Sequence, residues 1–341
     1  MISSARGPII IIAVIEIFKG MVCLGFGIEL DTTTIALACI QLILSVVAGM
    51  SLIYGTIKSR TNSVLVYLVL SAIEIFIVVA MASGSFKVDN VSDYGAGEIK
   101  THRADLSNLT EVKALADEIK GDFTVIDVLI NNAGVMMCPL GRTKEGLDTQ
   151  LGTNHLGHFV LTARLIDSLS ASTPARIVNL SSGGHRLSPL RFEDPFFERD
   201  EYNKFTAYGQ AKTANVLFSV ALDKRFKDRG IRSYAVHPGA IQTELSRHMD
   251  RDDIKTLMSS RPQNEPMKFK TLEAGAATTV WAATSTELDG QGGVYCEDCN
   301  VADVIEKPGA SFGVVSWAVD DEAAEKLWTL SEQWSGQTFP A

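Results

Sequence analysis

The sequence predicts an α/β protein: a partial, doubly wound parallel sheet, preceded by an all-α membrane region of three helices. Three observations predict this class. The amino-terminal third contains three apolar stretches, each about as long as a membrane-spanning helix. The rest of the chain alternates short apolar, β-branched runs with helical patterns, which is typical of parallel strands connected by helices. Several of these runs end in glycine or in a polar residue, so functional side chains are expected at strand ends.

A short polar segment separates the membrane region from the α/β region. Residues 1–84 contain the three predicted membrane helices, which lie at 9–28, 35–57 and 64–82. Residues 85–100 are polar and contain glycine, as is typical of a linker. The α/β region is predicted to occupy residues 101–336.

Basic residues beside the apolar stretches predict the orientation in the membrane. Arg6 precedes the first stretch, and Lys58 and Arg60 lie between the second and the third. Because basic loops stay in the cytosol, the amino terminus is expected there, and an odd number of spans puts the chain after Ala82 on the lumenal or exoplasmic side. The sequon at Asn90 suits that side. We therefore expect an integral membrane protein, with the endoplasmic reticulum as one candidate membrane and membrane lipid as a partner.

Charge and cysteine spacing argue against two classes of function. A net charge of -9 and a pI near 5.2 provide no basic surface for nucleic acid, so no nucleic-acid partner is expected. Cys296 and Cys299 form a CxxC pair without a second Cys or His pair nearby, which favours a loop after the last strand. His155 and His158 likewise lack a partner cluster, so no metal site is predicted.

The elements of the α/β region are predicted from periodicity and from stop signals such as Gly121 and Gly230. Predicted helices cover 109–120, 146–170, 207–229, 272–284 and 320–334. Predicted strands cover 125–130, 176–180, 232–236 and 293–296. Residues 131–134 follow the first strand and form a turn, in which Asn and Gly let the backbone approach a ligand closely.

The stretch from Arg176 to Asn215 carries the candidate chemistry. Ser181 and Ser182 end a strand, and Tyr208 and Lys212 lie four residues apart, which puts them on one face of a helix. A phenol with a pKa of about 10 is a poor base at neutral pH, and a neighbouring ammonium group stabilises its ionised form. A nearby serine hydroxyl could bond the same substrate oxygen. The alternative is an amphipathic helix with an incidental Tyr and Lys.

Several further motifs accompany this pair in the chain. They are Asn131-Asn132-Ala133-Gly134, Asn154 within GTNHLGHF, Ser181-Ser182, Tyr208-x-x-x-Lys212 and His237-Pro238-Gly239. In this order they resemble the motifs of the short-chain dehydrogenase/reductase family. The residue pattern of DPFFERDEYNKFTAYGQAKTANVLF is similar to that in the branch of retinol dehydrogenases and WW-domain oxidoreductases. The resemblance covers residues 101–336 and implies a Rossmann-like sheet.

The resemblance implies a role for each matching residue. Tyr208 would be the acid/base, Lys212 would tune it and hold the ribose, and Ser182 would orient the substrate oxygen. Asn154 would support the lysine through water. The cofactor would be NADP or NAD, with NADP slightly favoured. The residues that the family pattern assigns to it are Asp105 at the adenine, Asn131, Ala133 and Gly134 in the turn, Pro238 and Gly239 beside the nicotinamide, and Thr243 at its carboxamide. The implied substrate is a small lipophilic alcohol or ketone.

One part of the family pattern is missing from the sequence. No TGxxxGxG turn precedes Asp105, and the glycines between Gly20 and Gly27 have the wrong spacing and lie in a predicted span. Without the strands that normally flank it, the strand at 125–130 would be an apolar sheet edge. Three hypotheses therefore stay open: a membrane-anchored oxidoreductase, a catalytically silent membrane protein with a remnant enzyme region, and the product of a misjoined gene.

Overall fold

The computed structural model describes residues 100–172, 174–259, 269–306 and 311–340. Those from His102 onward belong to a compact unit that spans His102–Ala341. In this part of the chain, no helix is both long and apolar enough to cross a membrane. The three predicted membrane helices and most of the linker lie outside the described residues, so they stay predictions.

The described region alternates helices and strands. The helices are α1 Leu109–Asp122, α2 Thr149–Leu151, α3 Gly157–Ser170, α4 Lys204–Phe226, α5 Arg251–Ser259, α6 Leu272–Thr284 and α7 Asp321–Ser335. The strands are β1 Val128–Asn131, β2 Ala175–Leu180, β3 Ile231–His237, β4 Val294–Glu297, β5 Asn300–Val301, β6 Val304–Ile305 and β7 Val314–Val315.

The main sheet has the order β1-β2-β3-β4-β5 among the described residues. Its first four strands are parallel, and β5 folds back antiparallel to β4. Leu129 is in register with Ile177, and Ile177 with Ser233, so the carboxyl ends of β1, β2 and β3 meet at one edge. The predicted parallel α/β architecture is therefore confirmed. That edge is where ligands bind in open parallel sheets.

Strand β1 is the outer strand of this sheet in the part of the chain that the structure describes. All six residues of β2 are buried, whereas Val128 and Ile130 of β1 are 37% and 43% exposed. Val125, just before β1, is 47% exposed. An apolar edge of this kind agrees with the expectation for the strand predicted at 125–130.

An aromatic cluster packs three of the helices together. The rings of Phe159 and Trp328 lie 5.4 Å apart, and that of Phe339 packs 5.1 Å from Phe159 and 4.3 Å from Trp328. Phe218 of α4 joins them at 5.4 Å from Phe159. The cluster therefore joins α3, α4 and α7 into the layer that carries the candidate residues.

Two predicted elements differ from those observed. The predicted helix at 146–170 is interrupted by a π-helical turn, Gly152–Leu156, that contains Asn154. Cys296 lies within β4, in agreement with the strand predicted at 293–296, and the loop predicted after that strand is a tight hairpin. Asp298 and Cys299 form the turn of that hairpin with φ of +50° and +56°. No glycine marks this turn, so the sequence offered no signal for it.

Candidate active site

The candidate residues converge at the carboxyl edge of the sheet. The turn after β1 carries Gly134, the end of β2 leads into Ser181 and Ser182, and β3 ends at His237. Helix α4 packs across β2 and β3 and brings Tyr208 and Lys212 to the same place. Residues from distant parts of the sequence therefore share one site.

Helix α4 begins immediately before the candidate pair. The side chain of Asn203 caps it by accepting hydrogen bonds from the backbone of Phe205 and Thr206, both at 3.0 Å. Tyr208 and Lys212 follow in the first turns, where they are 3% and 4% exposed. The Lys212 Nζ lies 5.8 Å from the centre of the Tyr208 ring. The i, i+4 spacing thus places both side chains on the buried face of the helix.

The ammonium group of Lys212 has a defined partner in the sheet. Its Nζ donates a hydrogen bond to the carbonyl oxygen of Leu180 at 2.9 Å, an oxygen that also accepts from Asn215 Nδ2 at 2.9 Å. The same Nζ lies 3.8 Å from the position that a Cβ on Gly134 would occupy. The lysine therefore lies between the end of β2 and the turn after β1.

The two serines at the end of β2 have different environments. Ser181 is 3% exposed and donates its hydroxyl to the carbonyl oxygen of Lys212 at 2.8 Å, so it anchors helix α4. Ser182 is half-buried and its Oγ accepts from the backbone of Gly184 at 3.0 Å. Ser182 also faces Tyr208, and hydrogen bonding between the two side chains acts to lower the Tyr208 pKa. Of the two, Ser182 is the one that is available to a substrate.

Asn154 uses its side chain to fix the loop that follows the NNAG turn. Its Oδ1 accepts from Val135 N at 2.8 Å, and its Nδ2 donates to Val135 O at 2.9 Å. Its own carbonyl oxygen receives the Nδ1 of His158 at 2.9 Å. A Cβ at Gly134 would lie 2.9 Å from Asn154 Oδ1, so only glycine lets the turn lie this close. Support of Lys212 through water stays a prediction.

Of the remaining predicted cofactor residues, Asn131, Ala133, Pro238 and Gly239 lie at or just after the ends of β1 and β3. Asn131 is buried, and its Nδ2 donates to Thr162 and Asn179, whereas Ala133 is exposed. Pro238 and Gly239 directly follow β3, and Gly239 has φ of +91°. Asp105 and Thr243 lie in loops of their own. Asp105 Oδ1 accepts a hydrogen bond from Ser107 N at 2.9 Å, and Thr243 Oγ1 accepts one from Leu245 N at 3.3 Å.

Burial shifts the pKa of both members of the candidate pair, Tyr208 and Lys212. Burial raises the pKa of Tyr208 to about 12, although the hydrogen-bonding side chain of Ser182 opposes the rise. Burial also lowers the pKa of Lys212 to about 8, because the charged form loses its hydration. The sequence led us to expect a Tyr208 stabilised in its ionised form by Lys212. Desolvation is the larger effect here, so Tyr208 keeps its proton at neutral pH.

Sequence reasoning missed residues that hold the candidate residues, or the turn beside them, in place. His158 holds the Asn154 carbonyl, and burial lowers its pKa to about 4, so it is neutral. Arg186 lies four residues after Ser182 and pairs with Glu297 at 3.2 Å. The spacing of His158 from Asn154 was visible in the sequence. Nothing in the sequence links Arg186 to Glu297, which lies 111 residues away.

The described part of the site fits the nicotinamide and ribose half of a dinucleotide. A side chain at Gly134 would collide with Asn154, and one at Gly239 would collide with Lys270. Glycine at both positions therefore leaves the backbone of these turns without a covering side chain. The Lys212 Nζ lies beside the turn that contains Gly134. The region in which a phosphate-binding turn would precede Asp105 lies outside the described residues.

Comparison with known proteins identifies the family. The family model for short chain dehydrogenases matches residues 74–254. The short-chain dehydrogenase/reductase prx1 of Penicillium rubens is 38% identical over 240 residues, which cover 69% of this chain and 70% of that protein. Retinol dehydrogenase 12 of Homo sapiens is 36% identical over 250 residues, covering 73% and 72%.

A solved structure agrees with these relatives. The crystal structure of an uncharacterized protein from Mycobacterium paratuberculosis is 31% identical, has a TM-score of 0.53, and covers 72% of this chain and 79% of that one. The motif order, the parallel sheet and the matched range point to the same group of enzymes. The chain belongs to the short-chain dehydrogenase family.

Proposed function

We propose that the protein is a membrane-anchored, NAD(P)-dependent oxidoreductase that interconverts an alcohol and a carbonyl. The observation that carries this proposal is the meeting of Ser182, Tyr208 and Lys212 at the carboxyl edge of the sheet, beside Gly134 and Asn154. Membership of an oxidoreductase family supports the reaction class. The apolar stretches at 9–28, 35–57 and 64–82 support the membrane anchor.

The proposed roles follow from the chemistry of each side chain. Tyr208 gives its proton to a carbonyl oxygen, or takes one from an alcohol, and Ser182 bonds the same oxygen. Lys212 is mostly protonated at pH 7, because its lowered pKa of about 8 still lies above that pH. Its positive charge favours the ionised tyrosine whenever the proton has left. Since Tyr208 stays protonated at neutral pH, the site is ready for carbonyl reduction.

The cofactor would supply or accept the hydride when it is bound. The residues proposed to hold it are Asp105, Asn131, Ala133, Gly134, Tyr208, Lys212, Pro238, Gly239 and Thr243. NADP is proposed over NAD from the family resemblance. The proposed substrate is a small lipophilic alcohol or ketone, and two human relatives named retinol dehydrogenase support that class.

A second candidate is a catalytically silent membrane protein whose α/β region serves for interaction. The exposed apolar side chains of Val128 and Ile130 favour it, because such a strand edge can pair with another chain. Cofactor binding separates the two candidates. A silent remnant binds no dinucleotide, whereas an oxidoreductase must.

Tyr208→Phe tests the proposed role of the tyrosine. The variant keeps the buried ring and loses the hydroxyl, so we expect turnover to fall by at least about 100-fold, the loss typical of a missing acid/base group. Thermal unfolding should stay near the wild-type value. Tyr202→Phe is the matched control, because that hydroxyl bonds Cys138 O and Gln150 elsewhere. Unchanged turnover in Tyr208→Phe would contradict the role.

A further inference from the structure

A buried ion pair fastens the turn that follows the candidate serine. Arg186 lies in the 3-10 turn Gly183–Leu187, immediately after Ser182. Its guanidinium donates to Gly313 O from Nε at 3.1 Å and from Nη2 at 2.7 Å, and Nη2 also pairs with Glu297 Oε2 at 3.2 Å. The other carboxylate oxygen of Glu297 accepts from the backbone of Gly313. Each of the three groups therefore bonds the other two.

Burial makes this set of contacts hard to exchange for water. The side chains of Arg186 and Glu297 are 10% and 9% exposed. Removing one partner of a buried ion pair leaves an uncompensated charge, which is strongly unfavourable, whereas an exposed pair contributes little. The pair therefore holds the turn to the end of β4 and to Gly313 more firmly than a surface ion pair could.

His185 reinforces the same connection. Val315 N donates to His185 Nε2 at 3.2 Å, so that nitrogen carries no proton in this arrangement. The proton is then on Nδ1, which donates to the carbonyl oxygen of Ser182 at 2.8 Å. Trp317 Nε1 also donates to His185 O at 3.3 Å. The segment from Gly313 to Trp317 thus contacts the turn at alternate residues.

The turn itself touches both candidate catalytic side chains. Ser182 Oγ accepts from Gly184 N at 3.0 Å, so the turn sets the direction of that hydroxyl. A Cβ at Gly184 would lie 2.6 Å from Tyr208 Cε1, so the turn also lies directly against the tyrosine ring. A shift of the turn would therefore change the position of Ser182 relative to Tyr208.

We propose that Arg186 and Glu297 are positioning residues. They hold the Gly183–Leu187 turn so that the Ser182 hydroxyl and the Tyr208 phenol can both hydrogen-bond the same substrate oxygen. The catalytic part of this proposal rests on the proposed function. Neither residue touches the substrate. Their effect on turnover is transmitted by the turn.

The first test compares Glu297→Gln with Asp223→Asn in the full-length protein. Glu297 and Asp223 each pair with an arginine and are 9% and 8% exposed, but Asp223 bonds Arg232 at the opposite edge of the sheet. Glu297→Gln should speed hydrogen exchange at the amides of Gly184 and His185, which bond Ser182. Asp223→Asn should leave that exchange unchanged.

The same variants give a kinetic result. We expect Glu297→Gln to lower kcat by about 10- to 100-fold, because small displacements of reacting groups cost that much. Cofactor affinity should stay unchanged. The rise of alcohol oxidation with pH should move to higher pH, because a displaced Ser182 no longer helps to lower the Tyr208 pKa. A variant that was only destabilised would keep the wild-type pH profile at a temperature where it is folded.

A second pair of variants decides the case in which Glu297→Gln does not fold. Arg186→Lys keeps the charge and loses the planar fork, and Arg176→Lys is its control, since both arginine side chains are 10% exposed. Faster exchange in the turn for Arg186→Lys alone supports the proposal. Equal exchange in all variants overturns it. An inactive wild type with faster exchange in the variants would refute the proposed function and leave the structural connection standing.

Discussion

Lys212 illustrates how a side chain with a proposed function can lower the stability of the fold. It is 4% exposed, and burial lowers its pKa to about 8 from an ordinary value of 10.5. The folded protein therefore binds this proton less tightly than the unfolded chain does. The stabilising contribution of a group with a lowered pKa is present above the unfolded pKa, and it is lost as the pH falls through the folded one. As the pH falls from 10.5 to 8, Lys212 thus makes the fold progressively less stable.

The change Lys212→Met should separate stability from function. Methionine has no charge to desolvate, and Leu180 O keeps its second donor, Asn215, so we expect the free energy of unfolding at pH 7 to rise by about 1–2 kcal/mol. Turnover should be lost. Lys227→Met, at an exposed position after the same helix, should change neither quantity. Denaturant unfolding at pH 7 checks the prediction, and a less stable Lys212→Met protein would contradict it.

At the residue scale, the sequence predicted which side chains would meet but not how they would titrate. The spacing of Tyr208 and Lys212 and the position of Ser182 after a strand correctly indicated their proximity. Burial depends on the whole fold and cannot be derived from spacing. The raised pKa of Tyr208 is therefore a property that only the structure provides.

At the scale of elements, close packing of the Ser182 turn on helix α4 controls the site. A side chain at Gly184 would collide with Tyr208, and one at Gly209 would lie 2.9 Å from Ser188 N. These two glycines allow the turn and the helix to approach each other. Their role is steric, because neither has a positive φ.

Gly184→Ala should therefore displace the tyrosine ring. We expect kcat to fall by at least about tenfold, because a buried ring cannot move aside freely and reacting groups tolerate little displacement. Gly121→Ala is the matched control. It lies in α1 with nothing within 4 Å, so alanine there should stabilise the helix by about 0.5–1 kcal/mol. Steady-state kinetics of both variants provides the check, and equal activity would contradict the steric argument.

Elements with strong local signals were predicted well. The continuous β-branched run at 176–180 became β2, and the helix predicted at 272–284 has those bounds in α6. Elements without such signals were missed: the π-helical turn around Asn154, helix α5, and the hairpin at Asp298 and Cys299. Their geometry comes from tertiary contacts rather than from periodicity or glycine.

At the scale of the whole molecule, the predicted membrane region would set the compartment of the site. Basic residues near the first and third apolar stretches predict that the chain after Ala82 lies in the lumen. In that orientation Asn90 becomes available for glycosylation. Asn108 and Asn179 also have sequon form, but Asn108 caps helix α1 and Asn179 is 2% exposed in β2. Asn90 is thus the sequon that best reports on topology.

A glycosidase-sensitive mass shift that disappears in Asn90→Gln would agree with the lumenal placement. Asn179→Gln is the control and should leave the shift unchanged, since its side chain bonds Asn131, Ser219 and Ser233 inside the fold. Protease added outside sealed vesicles should leave the α/β region intact. Cleavage after Lys100 under those conditions would contradict the predicted orientation.

The family model begins to match at residue 74, before the α/β region predicted from Thr101. No glycine-rich TGxxxGxG turn is present between residue 74 and Asp105. The cofactor must therefore be held by other groups if the protein is an oxidoreductase. Possession of a working dinucleotide site is the central claim of the proposed function.

Isothermal titration of NADPH and of NADH into the detergent-solubilised, full-length protein tests that claim most directly. The account predicts binding with a micromolar dissociation constant, tighter for NADPH, and weakened in Lys212→Met, since that residue would hold the ribose. A folded protein that binds neither dinucleotide would contradict the account, because Tyr208 and Ser182 would then have no source or acceptor of hydride.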